Sequence, residues 1–243
     1  MRNRINKAEK AGTSYDLSIS DLMAALSCIF LLFLAITIIE LNHQKAKYEE
    51  KNERAGEYID MQKDLKIALE KEFQNDFKSD KLNAFISDDL TIHFRDEEIM
   101  FAPNSTELTE KFKTILDDFF PRLINQIADE KFRDNILEIR IEGHTARDPK
   151  YSAEEDYERG MYTSQTRTTN VLFYCLHNTH LFTDMIGDED SYSWVRKRIA
   201  AIGYSSSLPV LNSDGEIDLN SSRRVEIKIR TKSENVIFDI NNL

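Results

Sequence analysis

Residues 22–39 read LMAALSCIFLLFLAITII, eighteen positions without a charge, and no other stretch of the 243-residue chain is comparably apolar. At about 1.5 Å of rise per residue, a helix over this run, extended backward through Leu17 and Ile19, reaches the roughly 30 Å thickness of a bilayer core. A cleaved signal sequence would place a shorter apolar core before a small-residue cleavage site, whereas this run passes directly into Glu40, Leu41 and Asn42. An uncleaved transmembrane helix over 17–40 is therefore expected. Arg2, Arg4, Lys7 and Lys10 precede it with only Glu9 opposing them, and the segment beyond mixes His43, Lys45 and Lys47 with Glu49 and Glu50. That asymmetry predicts a cytoplasmic tail over 1–16 and places everything after the span outside, in the periplasm of a Gram-negative cell.

Around the span, charge and side-chain size restrict the partners. A net charge of −11 argues against nucleic acid, because phosphate binding needs Lys and Arg clustered on one face. On a helix, Asp21, Ala24, Ala25, Cys28 and Ala35 fall on one side, and close approach at small residues is how helices associate in lipid. This face predicts contact with another membrane protein. Two readings of Asp21 stand side by side: a cap on the helix N-terminus at headgroup level, or a carboxylate kept at the membrane boundary for a function. Asp16, a turn further out, is the weaker candidate for the second role. The two cysteines, Cys28 and Cys175, lie far apart and suggest neither a disulfide nor a metal framework.

Residues 41–87 begin with a Lys-, Glu- and Gln-rich stretch without Pro, which predicts a helical stalk. Tyr58, Met61, Leu65, Ala68, Leu69 and Phe73 make an apolar line at spacings of three and four, suited to a short dimeric coiled coil or to packing on the domain that follows. Beyond residue 88 the pattern alternates: a strand near 90–95, a helix over 108–128, a strand over 136–142, a helix over 154–177, a short helix near 192–198, a strand from 199, and a last strand over 223–230. Helices on one face of a mixed sheet are expected, with Phe119, Phe120, Leu123 and Trp194 in the core. His177 and His180 stand at a metal-compatible spacing without further ligands nearby, which is more often structural. No nucleophile–base pair, phosphate loop or zinc motif is present in the sequence, so no enzyme and no cofactor is expected.

Two resemblances sharpen this reading. Ser20-Asp21-Leu22-Met23-Ala24-Ala25-Leu26, followed by Cys28 and a Phe-rich aliphatic run, resembles the membrane helix of the MotB and PomB stator subunits. The resemblance implies that Asp21 binds and releases the driving ion, H+ or Na+, and that two copies of the chain stand inside a ring of a multi-span MotA-like partner. Ile141-Glu142-Gly143-His144-Thr145, Ser164-Gln165-Thr166-Arg167, Ile202-Gly203-Tyr204 and Ser222-Arg223-Arg224-Val225-Glu226-Ile227 occur in the order of the OmpA C-terminal domain. That second resemblance covers about residues 88–232, leaving 233–243 as a tail, and implies binding of peptidoglycan stem peptides. The fold class expected is α+β: a single transmembrane helix, a helical stalk and an OmpA-like α/β sandwich with a mixed sheet.

In the OmpA-like family an aspartate after Gly-His-Thr and an arginine on the next helix hold the charged ends of diaminopimelate. Arg167 matches the arginine, and a guanidinium there can make a two-pronged contact with a carboxylate. The aspartate position is Ala146, and the asparagine expected seven residues before the arginine is Gly160. Asp148, two residues on, is the candidate replacement, so Thr145, Asp148, Arg167 and Arg224 form the expected wall-contact set. The order of span and domain is similar to that of stator B subunits, and the short basic N-terminus with the altered wall motif to the B subunit of the Zorya anti-phage system, whose partner is ZorA. A flagellar stator and a passive tether between inner membrane and wall are the alternatives.

Overall fold

The computed structural model describes residues 2–78, 84–94, 97–102, 105–177 and 189–234, with side chains described from Ser20 onward except at 78, 97–98 and 189–191. The expected tail over 233–243 lies outside these residues from 235 on. The chain divides into two compact units, Met1–Arg54 and Ala55–Leu243. Helix α1 (Arg2–Lys78) supplies the first unit up to Arg54 and opens the second. In the first unit every described side chain is exposed, the large apolar ones from Leu22 to Leu41 included. The two hydroxyls within the apolar run bond back to their own helix, Ser27 Oγ donating to Met23 O and Thr37 Oγ1 to Phe33 O, each at 2.8 Å. That leaves no hydroxyl hydrogen of residues 22–39 unsatisfied in an apolar solvent, as suits a membrane helix. Among the described residues this is the one helix long and apolar enough to cross a bilayer.

The second unit is built on a five-stranded sheet. Its strands are β1 (Ala84–Ile86), β2 (Thr91–Phe94), β3 (Ile136–His144), β4 (Ile199–Gly203) and, after a small hairpin of β5 (Val210–Leu211) and β6 (Ile217–Asp218), β7 (Arg224–Thr231). The order is β1-β2-β7-β3-β4; β3 and β4 run parallel and the other neighbours antiparallel, so the sheet is mixed as expected. Alternation sorts its faces. Ile139 and Ile141 of β3 and Val225, Ile227 and Ile229 of β7 are buried under the helices, and Glu142 pairs with Glu226 on the other face.

Three helices cover the apolar face. Helix α3 (Glu110–Ile127) follows the short α2 (Glu97–Met100) and starts at Thr109, whose Oγ1 accepts the Phe112 N–H at 3.1 Å. Helix α4 (Ala153–His177) crosses from β3 to β4, and α5 (Glu189–Arg196) carries the buried Trp194. Phe119, Phe120 and Leu123 are fully buried with it, as the sequence predicts.

The apolar line on the expected stalk packs on the domain. Leu65, Leu69 and Phe73 of α1 are at most 1% exposed, and the Phe73 ring lies 4.9 Å from that of Phe119. Arg122 closes the seam, with Nε 2.7 Å from Glu72 and Nη1 2.8 Å from Asp76. Residues 55–78 and β1, both inside the segment expected as a stalk, are thus parts of the folded domain. Of the two uses open to the apolar line, packing on the following domain is the one seen.

Candidate wall-binding cleft

The loop after β3 leaves the sheet beside the first turns of α4. A capping box starts that helix: Ser152 Oγ accepts the Glu155 N–H, and Glu155 Oε2 accepts the Ser152 N–H, each at 3.2 Å. Asp156, Gly160, Thr163 and Arg167 then follow at spacings of four, three and four, which puts them on one helical face. That face and the loop 145–151 line a cleft of about 650 Å³, with Phe101, Thr106, Leu219 and Arg223 also on its lining.

Asp156 is the buried acid of the cleft, 7% exposed. Its Oδ1 accepts the Asp148 N–H at 2.8 Å and its Oδ2 accepts the Ser206 hydroxyl at 2.9 Å, tying the loop after β3 to the loop after β4. The two loops are also joined where the Thr145 N–H donates to Ser205 O at 2.8 Å. Arg167 is equally buried; its Nε donates to Ser105 O at 3.0 Å and its guanidinium lies 4.7 Å over the Phe101 ring. Asn170, one turn on, donates to Thr106 O at 2.8 Å, so α4 holds the segment that brings Thr106 to the lining. Gly143 lets α4 come this close, since a Cβ there would stand 2.8 Å from Ser164 O.

The opposite sheet face carries a separate polar network. His93 Nδ1 is 2.8 Å from Glu226 Oε1, to which Arg224 Nε also bonds, and His144 Nε2 is 3.5 Å from Oε2. Burial by itself would raise the Glu226 carboxyl, but His144, His93 and Arg224 together hold it well below the usual carboxylate range. Burial pushes Glu142 up, against the pull of Lys228 and His144. Glu142, His144 and Glu226 bring ligand-type atoms within 4.8 Å of one another. Arg140, 3.8 Å from Glu142, and Arg224 offset the carboxylate charge there, while neither ring nitrogen of the buried His144 makes a hydrogen bond among the described residues.

Over 219 residues the chain is 36% identical to the Zorya protein ZorB of Escherichia coli, covering 89% of this chain and 88% of that one. This chain belongs to the ZorB family. No family model matches it. Among solved structures it is similar to a MotB-like protein from Desulfovibrio vulgaris, at 20% identity, TM-score 0.47, and coverage of 73% of this chain and 96% of that one. It is also similar to the cell wall anchor of the type VI secretion system from Pseudomonas aeruginosa, at 18% identity, TM-score 0.39, and coverage of 68% and 97%.

Within this ZorB-family chain, Thr145, Asp148 and Arg167 of the expected contact set come together in the cleft. Arg224 does not. Strand alternation turns it to the far face with Glu226, and it also donates to Leu208 O at 3.2 Å; its neighbour Arg223 lines the cleft instead. Asp148 Oδ1 accepts the Lys150 N–H at 3.1 Å, which shapes the loop. Asp156 was missed by sequence reasoning, because an acid in a first helical turn is ordinarily a partner for the helix dipole. Its one sequence signal is the spacing to Arg167, eleven residues or three turns on the same face. Asp21, Ala24, Ala25 and Cys28 are exposed along α1 in the first unit. His177 stacks on Phe173 with ring centroids 5.8 Å apart, and His180 lies outside the described residues.

Proposed function

We propose that this chain is the B subunit of an ion-driven inner-membrane motor, anchored to peptidoglycan and serving anti-phage defence. The observation that carries the reading is the pairing, in a ZorB-family chain, of one apolar span that opens at Asp21 with a domain whose cleft presents Thr145 and Arg167. The N-terminus stays in the cytoplasm and the domain sits in the periplasm, in keeping with Arg2, Arg4, Lys7 and Lys10 before the span. Two copies stand inside a ring of a multi-span ZorA- or MotA-like partner, with the small face of Ala24, Ala25 and Cys28 against it. Asp21 exchanges between a charged and an ion-bound form as access alternates between the two sides, taking up H+ or Na+. Each unit charge moved through 100 mV supplies about 2.3 kcal/mol, enough to bias a conformational step in the surrounding ring. The work is mechanical, and no bond-making step is assigned to the chain. At the other end Arg167 meets a carboxylate of the wall peptide, so that the domain resists the reaction torque.

The test replaces Asp21 by Asn in the native operon, with membrane levels matched, and scores phage plating and swimming in the same strains. Loss of protection with motility unchanged is the expected result. Protection at the wild-type level would make Asp21 a helix cap and the chain a passive tether, and loss of swimming would assign it to a flagellum.

A further inference from the structure

Two acids line the cleft, Asp148 and Asp156, and their surroundings differ. Asp148 is half-buried, and its Oδ1 accepts the Lys150 N–H. Asp156 is 7% exposed, and its two oxygens accept from neutral donors, the Asp148 N–H and the Ser206 hydroxyl. Those bonds leave its charge in place and use two of the roughly four acceptor positions of a carboxylate. Among the described residues no Lys, Arg or His forms an ion pair with it. Arg159, one turn on, lies over the Tyr151 ring at 4.3 Å, and Arg167 and Arg223 are engaged elsewhere. The other charges near it in sequence have both signs: Arg147, Lys150 and Arg159 against Glu154, Glu155 and Glu158, all six exposed and screened by water. A carboxylate this far from water ordinarily has a cationic partner. Its place in the first turn of α4 offsets part of the charge through the helix dipole and leaves room for a cation arriving by way of the cleft.

We propose that Asp156 receives the free ammonium group of the bound peptide and makes this cleft selective for it, in the part that the loop position occupied by Ala146 cannot play. This deepens the wall-binding reading above and rests on it. An ammonium brings three N–H donors to the open acceptor positions of Asp156, and the pair forms where water is largely excluded, so it is stronger than the same pair at the surface. Asp148, the replacement expected from the sequence, is the more exposed of the two acids, and a pair formed there gains less. Its role is to shape the loop, through its own N–H to Asp156 and its Oδ1 to the Lys150 N–H.

The experiment titrates the full-length protein in detergent with two diaminopimelate-containing stem tetrapeptides, one with a free side-chain amine and one acetylated on that amine. The wild-type chain is expected to prefer the free amine by about tenfold, the worth of one charge-assisted contact. Asp156→Asn keeps the size of the side chain and an oxygen for the Asp148 N–H, and the Ser206 hydroxyl can turn to accept from the new amide. That variant is expected to bind both peptides as the wild type binds the acetylated one, whereas Asp148→Asn keeps the preference within about twofold. Equal binding of the two peptides by the wild type, or a preference that survives Asp156→Asn, overturns the proposal and leaves wall binding intact. If Asp156→Asn binds neither peptide, Asp148→Asn decides: a retained preference leaves Asp156 as the remaining acid on the lining and supports the proposal, and a lost one overturns it. Binding of neither peptide by the wild type overturns the wall reading and this proposal with it.

Discussion

Gly160 lies mid-helix in α4, where alanine is ordinarily favoured by up to about 1 kcal/mol. The structure reverses that expectation. A Cβ on Gly160 would stand 2.3 Å from Ser205 Oγ and 2.6 Å from Thr145 Oγ1. Ser205 is fully buried and cannot swing aside freely, because its Oγ donates to Tyr157 O at 2.8 Å and its N–H donates to Ser164 Oγ at 3.1 Å. Overpacking of this kind costs about 1–3 kcal/mol, and losing the bond to Tyr157 adds about 1 kcal/mol. After the helix-propensity gain is subtracted, Gly160→Ala should destabilise the domain by about 1–3 kcal/mol. Trp194, the chain's one tryptophan, is buried in this domain, so its fluorescence during urea unfolding in detergent reads the change. Gly56→Ala is the internal control: nothing lies within 4 Å of its Cβ position, so that variant should be neutral or up to about 1 kcal/mol more stable. A Gly160→Ala midpoint at or above wild type would refute the close approach of α4 to the loop after β4.

Glu226→Gln should cost about 2–4 kcal/mol, because it leaves Arg224 and His93 beside a neutral amide; chemical denaturation at pH 7 checks this. The same carboxyl sets an acid limit. Its folded value lies well below the unfolded value of 4.5, so its contribution is complete above about pH 4.5 and declines as pH falls further, and the Gln variant should show a shallower loss over that range. Phe73→Ala should cost about 3–5 kcal/mol, since a 1%-exposed ring packed on Phe119 would leave a cavity; a change under about 1 kcal/mol would mean that the end of α1 is not part of the domain core.

Where a residue's environment is local, the sequence predicts it well. Alternation locates β3 and β7 within a residue or two of their ends, and the helix expected over 154–177 is observed as Ala153–His177. The apolar line on α1 is equally visible, yet what covers it is set by α3, some fifty residues away, and an i, i+3, i+4 pattern has the same form on a coiled coil as on a domain surface. The same distinction explains the site. Thr145 and Arg167 are carried by short motifs with suitable spacing, and both reach the cleft. Asp156 becomes a buried cleft residue only because the loops after β3 and β4 converge on it from fifty residues apart. Arg224 was the more readable case. With Val225, Ile227 and Ile229 inward, strand parity already places it with Glu226 and Lys228 on the far face, and Arg223, one residue before the strand, is free of that constraint. At Ala146 the loop brings no acid to the cleft, and the buried acid there is Asp156, one helical turn inside α4, which holds the two loops together.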